Sequence, residues 1–379
     1  MGKKIVYVVG GLFRMDGMTR VLSQKINYLA EHTDYELYVV LTENPDLPFC
    51  YRMSPLLHYV NFNINFDELD TMPFYKKVFH YWLKQCKYKR CFTKYLMELR
   101  PDITVSAMRR EINFLNCIPD GSKKIGELHF NKHSYRQFSS PWLPRFLNRK
   151  ISGIWMNRLI REIKKLDKFV VLSKEDKTMW TELDNVTIIP NPLSFYPDKV
   201  SDVAYPKVIA VGRYTWQKGF DLLIDAWKMV TEQYPEWKLS IYGSGNNLSY
   251  QKLAKRKGVD HTLSCEKATK DIVGKYQESS IFVLSSRFEG FGIVITEAMA
   301  SGLPVVSFDC PCGPKDIIND EKDGFLVPYG NLRMLADKIG YLIEHETFRK
   351  EMGRKARINA ERYREDNIMQ KWISLFNEL

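Results

Sequence analysis

Four prolines fall between residues 190 and 206, in the stretch IIPNPLSFYPDKVSDVAYPK. Proline has no amide hydrogen to give to a ladder, so this stretch cannot be a central strand and reads as a linker. The same pattern runs on both sides of it. Short β-branched runs alternate with longer amphipathic stretches, as in parallel sheets covered on both faces by helices. Before the linker the strand candidates are Ile5–Val9, Glu36–Thr42, Asp102–Ala107, Lys124–His129, Phe169–Ser173 and Val186–Pro190. After it they are Lys207–Gly212, Lys238–Tyr242, His261–Cys265, Ile281–Ser286 and Pro304–Asp309. Helical stretches lie between, among them Gly219–Tyr234, Asp271–Glu278 and Leu332–His345. The expected class is α/β, with two Rossmann-like domains that bind ligands at the carboxyl ends of their strands. A length of 379 residues suits two cores.

Charge and cysteine usage narrow the setting. Lys and Arg outnumber Asp and Glu to give a formal charge of +11, which favours a polyanionic partner: phosphate, nucleic acid or an anionic membrane. Seven scattered cysteines without CxxC spacing fit reduced thiols in a cytoplasm better than a disulfide framework. Cys310 and Cys312 are half of a metal set at best, since no second pair has zinc-like spacing. MGKKIVYVVGG is too short an apolar run for a signal core and feeds a glycine loop, so it reads as a first buried strand. No apolar stretch approaches the roughly 20 residues of a membrane helix.

Glycines and charges gather where strands end. VVGGLFRMDGMTRVLSQKINYLAEH passes from a strand into a helix opening near Gly17. Free amides at a helix start attract anions, though neither GxGxxG nor GxxxxGK[ST] is present and a plain strand-to-helix turn fits as well. In AVGRYTWQKGFDLLIDAW, Arg213 and Lys218 follow a strand that ends at Gly212. They read either as solvated charges or as a clamp on a diphosphate, whose oxygens suit an arginine fork and a lysine point charge. IYGSGNN repeats the arrangement at Gly243. In SSRFEGFGIVITEAMASGLPVVSFD, a turn carrying Glu289, Gly290, Phe291 and Gly292 opens a helix that ends at Gly302, and Glu297 lies inside that helix. Five residues separate Gly292 from Glu297, roughly 7.5 Å along a helix axis. That is about the reach from a phosphate at the helix start to a ribose, whose diol a carboxylate can hold with two hydrogen bonds.

RFEGFGIVITEAMASGLPVVSFD resembles the E-x7-E signature of retaining glycosyltransferases of family 4, which have the GT-B fold. VGRYTWQKGFDLLIDAW resembles that family's phosphate-binding loop, GGLFRMDGMTRVLS its N-terminal glycine-rich loop, and GELH its first-domain histidine motif. The resemblance implies two Rossmann-like domains facing a central cleft: an acceptor domain of residues 1–193 plus 363–379, and a nucleotide-sugar domain of residues 194–362. The last helix, REDNIMQKWISLFNEL, would return to the first domain, and its apolar face of Ile368, Met369, Trp372, Ile373, Leu375 and Phe376 suits that packing. The implied reaction moves a hexose-type sugar from a nucleotide diphosphate, UDP being the family's commonest, with retention of configuration. Arg213 and Lys218 would take the diphosphate, Glu297 the ribose, and Glu289 with the backbone of Gly290, Phe291 and Gly292 the donor sugar. Gly17, Gly212 and Gly243 would line the donor site, and His129 would contact the transferred sugar.

No Asp-x-Asp pair occurs, so neither a metal nor another cofactor is expected. Fixed cations and helix amides can stabilise the leaving diphosphate instead. Residues 74–97 and 142–165 interleave cations with aromatic residues. Such surfaces fit anionic lipid, and they point to a peripheral enzyme of the cytoplasmic membrane face extending a lipid-linked glycan for a surface polysaccharide. The rival readings are a 2-epimerase on the same fold, a non-catalytic nucleotide-sugar sensor and a polyanion-binding protein. The chain is poor in histidine and has no nucleic-acid-binding signature, so no nucleic-acid partner is expected.

Overall fold

The computed structural model describes every residue except Met1, Met15, Pro45, His133, Ser134 and residues 136–143, and it leaves the side chains of Phe74 and Tyr75 undescribed. Trp142 and Leu143, at the start of the second basic and aromatic segment, therefore lie outside the described residues. The chain divides into two units.

The first unit comprises Met1–Leu172, Asp176–Pro192 and Met369–Leu379. Its strands are β1 (Lys4–Val8), β2 (Glu36–Leu41), β3 (His58–Asn61), β4 (Ile103–Ser106), β5 (Lys123–Glu127), β6 (Lys168–Val171) and β7 (Val186–Ile188). They form one sheet in the order β3-β2-β1-β4-β5-β6-β7, every described pair parallel. Helix α1 (Gly17–His32) starts where the Asp16 carboxylate accepts from Thr19 N at 2.8 Å, a side-chain cap for an otherwise orphaned amide. It buries Val21, Leu22, Ile26 and Leu29. Helices α2 (Phe74–Leu99) and α3 (Arg145–Ile163) share a core with the sheet through Tyr88, Phe92, Leu96, Leu159 and Ile163.

A short helix, α4 (Lys174–Met179), begins within the Ser173–Glu175 piece that groups with the second unit, whose main span is Leu193–Ile368. That span carries β8 (Lys207–Val211), β9 (Lys238–Gly243), β10 (Leu263–Lys267), β11 (Ile281–Leu284), β12 (Val305–Asp309) and β13 (Gly324–Pro328), in the parallel order β10-β9-β8-β11-β12-β13. Between them run α5 (Phe220–Thr231), α6 (Asn247–Lys257), α7 (Ile272–Gln277), α8 (Ile293–Ala300) and α9 (Pro314–Ile317), followed by α10 (Leu332–Glu344) and α11 (Glu346–Ala360). Trp227, Ile241, Val283 and Phe308 lie at the centre of its core, fully or almost fully buried.

Several expectations shift. The strand expected at His261–Cys265 is displaced to Leu263–Lys267, because an edge strand with exposed Glu266 and Lys267 shows no continuous apolar run. The strand expected at Lys124–His129 ends at Glu127, leaving His129 two residues beyond it. The helix expected at Gly219–Tyr234 begins at Phe220, after Gly219 takes the left-handed φ of 63°. The last helix, α12 (Glu365–Glu378), joins the first unit only from Met369, so residues 363–368 group with the second.

Candidate functional site

In the second sheet the strand order reverses between β8 and β11. Open α/β sheets collect ligands beyond the carboxyl ends of strands at such a reversal. Two loops meet there, and hydrogen bonds to backbone carbonyls join them. Arg287 N donates to Gln217 O at 2.7 Å, Gln217 Nε2 to Phe288 O at 2.9 Å, and Ser285 Oγ to Lys218 O at 3.0 Å. Arg287, which the sequence did not single out, forks onto Asp221 at 2.9 and 2.6 Å. Its guanidinium lies 4.6 Å from the Trp216 ring centroid. Those hydrogen bonds hold the Asp221 carboxyl below its usual range.

The joined loops bring two expected site residues into direct contact. Lys218 Nζ lies 2.7 Å from Glu289 Oε1, and the two side chains are 13% and 7% exposed. Ser286 Oγ donates to the same oxygen at 2.5 Å. The cation expected at the diphosphate and the carboxylate expected at the sugar are thus one charge pair. Arg213 stands apart from it: its side chain is exposed and makes no hydrogen bond or ion pair among the described residues.

Helix α8 leaves this turn through Gly292, whose φ of 93° a side chain rarely adopts. Glu297 lies in the middle of α8 with 3% exposure, and Tyr276 Oη is 3.4 Å from its carboxylate. Gly290 is half-buried, and the Phe291 ring turns into the core at 5.4 Å from Tyr363, leaving only backbone for a ligand. Gly212 and Gly243 have packing reasons of their own. A Cβ on Gly243 would lie 1.8 Å from Gly212 O, and one on Gly212 would lie 3.1 Å from the Lys218 chain. Gly17 is exposed in the first turn of α1, in the other unit.

His129 belongs to a cluster in the first unit that sequence reasoning missed. Its side chain is 4% exposed, and Nε2 lies 3.3 Å from Glu127 Oε1 but off the hydrogen-bond line. Neither ring nitrogen has an aligned partner among the described residues. Glu127 in turn pairs with Lys25, a residue of α1 with no exposed surface. The Lys25 ammonium lies 4.1 Å from the ring centroid of Trp372 and 5.0 Å from that of Tyr7. Burial alone would raise the Glu127 carboxyl, but Lys25 and then His129 outweigh it and hold it down to about 2. Burial lowers the Lys25 ammonium against the opposing pull of Glu127. One signal for Lys25 was present in the sequence. It falls midway between Val21 and Leu29, on the apolar stripe of α1, where a solvated lysine has no place.

Elsewhere the chemistry is sparse. Cys310 and Cys312 are buried and in no disulfide, and burial followed by the Glu289 carboxylate pushes the Cys310 thiol up. No group of three or more His, Cys, Asp or Glu that could hold a metal occurs among the described residues. A cavity of about 600 Å³ opens at the amino ends of β8, β9 and β10, lined by Lys207, Lys238, Asp260 and Glu278. It lies at the opposite edge of the sheet from the glycine loops, where such folds do not place their ligands. No described helix is long and apolar enough to cross a membrane.

Comparison with known proteins places the second unit. Residues 197–359 match the family described as glycosyl transferases group 1. The chain is 33% identical over 227 residues to an uncharacterized glycosyltransferase of Haemophilus influenzae, across 57% of this chain and 64% of that one. It is 34% identical over 223 residues to the amylovoran biosynthesis glycosyltransferase AmsD of Erwinia amylovora, across 56% of this chain and 62% of that one. The chain thus spans a little under two thirds of the length of these two relatives. A crystal structure of a TarM variant from S. aureus, in complex with fondaparinux, alpha-GlcNAc-glycerol and UDP, superposes with a TM-score of 0.78. That likeness covers 99% of this chain and 100% of TarM at 18% identity. Two parallel-sheet Rossmann-like units with the fold of a GT-B glycosyltransferase structure, the second matching glycosyl transferases group 1 over residues 197–359, are what this sequence builds.

Proposed function

We propose that the protein is a retaining, metal-independent glycosyltransferase that moves a hexose-type sugar from a UDP-linked donor to a glycan acceptor, lipid-linked, in surface polysaccharide biosynthesis. The observation that carries this reading is the Lys218–Glu289 pair at the strand-order reversal of the second unit, with Glu297 buried in the helix behind it. Cleavage of a sugar–phosphate bond builds negative charge on the leaving diphosphate, and Lys218 with Arg213 and the amides opening α8 supply fixed positive charge for it. Glu289, once a donor draws Lys218 toward phosphate, is released to accept from sugar hydroxyls. Glu297 takes the ribose diol, and His129 contacts the transferred sugar. TarM binds UDP in its solved complex, and AmsD is named for amylovoran biosynthesis; both support the donor and pathway class. The direct test incubates the protein with a panel of UDP-sugars plus EDTA and follows UDP release and product configuration. Release with retention supports the reading, and an absolute need for manganese or magnesium removes the metal-free clamp.

The acceptor side of the proposal rests on the outer face of α2. Val78, Phe79, Trp82 and Leu83 are exposed there, Phe79 and Trp82 by 59% and 61%. Spacings of one, four and five residues place them on one helical stripe, close to Lys89 and Arg90. Not every cation of this segment is available. Lys84 Nζ is committed to Ile64 O, Asn65 O and Glu68, Lys87 Nζ donates to Asn63 O at 3.2 Å, and Tyr88 is core. Helix α3 adds exposed Phe146, Ile154 and Trp155. Such a surface suits an anionic membrane, each cation contributing on the order of 1 kcal/mol. Sedimentation with anionic but not neutral liposomes is expected, weakened by Trp82→Ser with Lys89→Ser and Arg90→Ser. Equal sedimentation of variant and parent would remove α2 from the membrane face.

A further inference from the structure

Lys218 sits inside a clasp made by one residue of the neighbouring turn. Arg287, which leads to Glu289, reaches across and holds the Lys218 loop at residues 216, 217 and 221. Its Nη1 donates to Trp216 O at 2.6 Å and to Asp221 Oδ1 at 2.9 Å, and its Nη2 donates to Asp221 Oδ2 at 2.6 Å. Its backbone N donates to Gln217 O at 2.7 Å. The Trp216 ring, 66% exposed, lies over the guanidinium. These contacts bracket Lys218 on both sides along the chain. Three guanidinium hydrogens are thus committed within the protein, so the fork works as a strap rather than as a ligand contact. Gly219 closes the seam just past Lys218. At its left-handed φ of 63° a Cβ would lie 2.1 Å from Ser285 O, so the two loops meet there backbone to backbone. Arg287 and Asp221 are 11% and 38% exposed at the side chain, and ion pairs with such access contribute little to global stability. What the strap fixes is position. Lys218 Nζ meets Glu289 Oε1 at 2.7 Å across the seam, and Glu289 lies two residues beyond Arg287. A shift of the strap therefore reaches both members of that contact.

We propose that Arg287 and Asp221 are positioning residues that hold Lys218 where it meets the charge developing on the leaving diphosphate. The proposal rests on the reading of Lys218 as the diphosphate cation. Neither Arg287 nor Asp221 touches the donor in this role. A displacement of about 1 Å at a reacting site can slow a reaction on the order of 10²-fold, so the strap matters to rate far more than to folding.

The experiment compares Arg287→Ala with wild type in kcat and KM for UDP-sugar, in the urea midpoint, and in the acetylation of Lys218. Acetylation uses a limiting dose of acetic anhydride on the ligand-free full chain and is read by peptide mapping. The variant is expected to lower kcat by about 10- to 100-fold, with a smaller change in KM and a nearly unchanged midpoint. Lys218, no longer held on Glu289, is expected to acetylate several times faster while the other lysines do not. Arg287→Lys keeps the charge without the fork and should fall between the two. An arginine that only supports the fold would not act through Lys218. In a Lys218→Ala background, therefore, Arg287→Ala should lower kcat much less than it does alone. Unchanged Lys218 acetylation in folded Arg287→Ala would overturn the proposal, as would losses of kcat that multiply in full in the double variant. If Arg287→Ala does not fold, Asp221→Ala, which leaves the guanidinium only Trp216 O, decides by the same two measurements. A protein that releases no UDP would sink the functional reading, and Lys218 acetylation would still show whether the clasp holds.

Discussion

Each unit places a lysine–glutamate pair near the carboxyl end of a parallel strand, and the two pairs are built for different work. Lys218 and Glu289 keep 13% and 7% of their side-chain surface, Ser286 donates its hydroxyl to the Glu289 carboxylate, and both residues rest on loops tied to each other by hydrogen bonds to backbone carbonyls. Lys25 and Glu127 keep 1% and 3%, under the rings of Trp372 and Tyr7. A pair with residual access can exchange its partner for a ligand. A sealed pair cannot. The difference teaches that the same two residue types can form a pair open to exchange or a sealed part of the core, depending on whether solvent reaches them.

Breaking each pair at its lysine tests the contrast most severely. Lys218→Ala should lower kcat by about 10²–10³, the loss typical of one donor aimed at developing charge, with a smaller change in the urea midpoint. Lys25→Ala should mainly destabilise, by about 3–5 kcal/mol, because it leaves an uncompensated carboxylate in the interior. Stopped assays and urea unfolding on both variants decide between them. A stability loss at Lys218 as large as that at Lys25 would erase the distinction.

Acid sharpens it by a smaller step. The folded-state carboxyl of Glu127 is depressed to about 2 from an ordinary 4.5. The unfolded chain therefore binds the extra proton first as pH falls. The stability this group contributes is complete above about 4.5 and disappears as pH drops toward 2, on the order of 3 kcal/mol at most. Urea midpoints measured across that window should fall more steeply in the wild type than in Lys25→Met/Glu127→Gln. Parallel slopes would mean that the sealed pair is not what titrates.

The open site was legible because its parts are contiguous. Glycines, Arg213, Lys218, Glu289 and Glu297 fall in two short stretches after apolar runs, and a chain that ends a strand in glycine and charge announces a ligand edge. The direct Lys218–Glu289 contact was not legible, because it depends on how two loops 71 residues apart are tied. The sealed cluster was harder still. Lys25, Glu127, His129 and Trp372 come from α1, β5, the loop after it and α12, and only the fold brings them together. Among the strands, β3 escaped notice because His58 and Tyr59 are exposed and no apolar run marks it. β13 escaped because it opens on Gly324 and closes on Pro328, both of which read as breakers. Tyr88 falls in the basic and aromatic stretch 74–97 yet lies in the core, since a basic helix hides the side on which it packs.

Calorimetric titration of UDP, without any sugar, into Glu297→Ala and Glu289→Ala tests the donor assignment most directly. Hydrogen bonds to a charged group are worth about 1.5–3 kcal/mol, or roughly 10- to 150-fold in affinity. Glu297→Ala should lose that factor with its ribose contacts, while Glu289→Ala should bind UDP nearly as the wild type does and fail only with the complete UDP-sugar. UDP affinity unchanged in both variants, or reduced equally in both, would contradict the placement of ribose at Glu297 and sugar at Glu289.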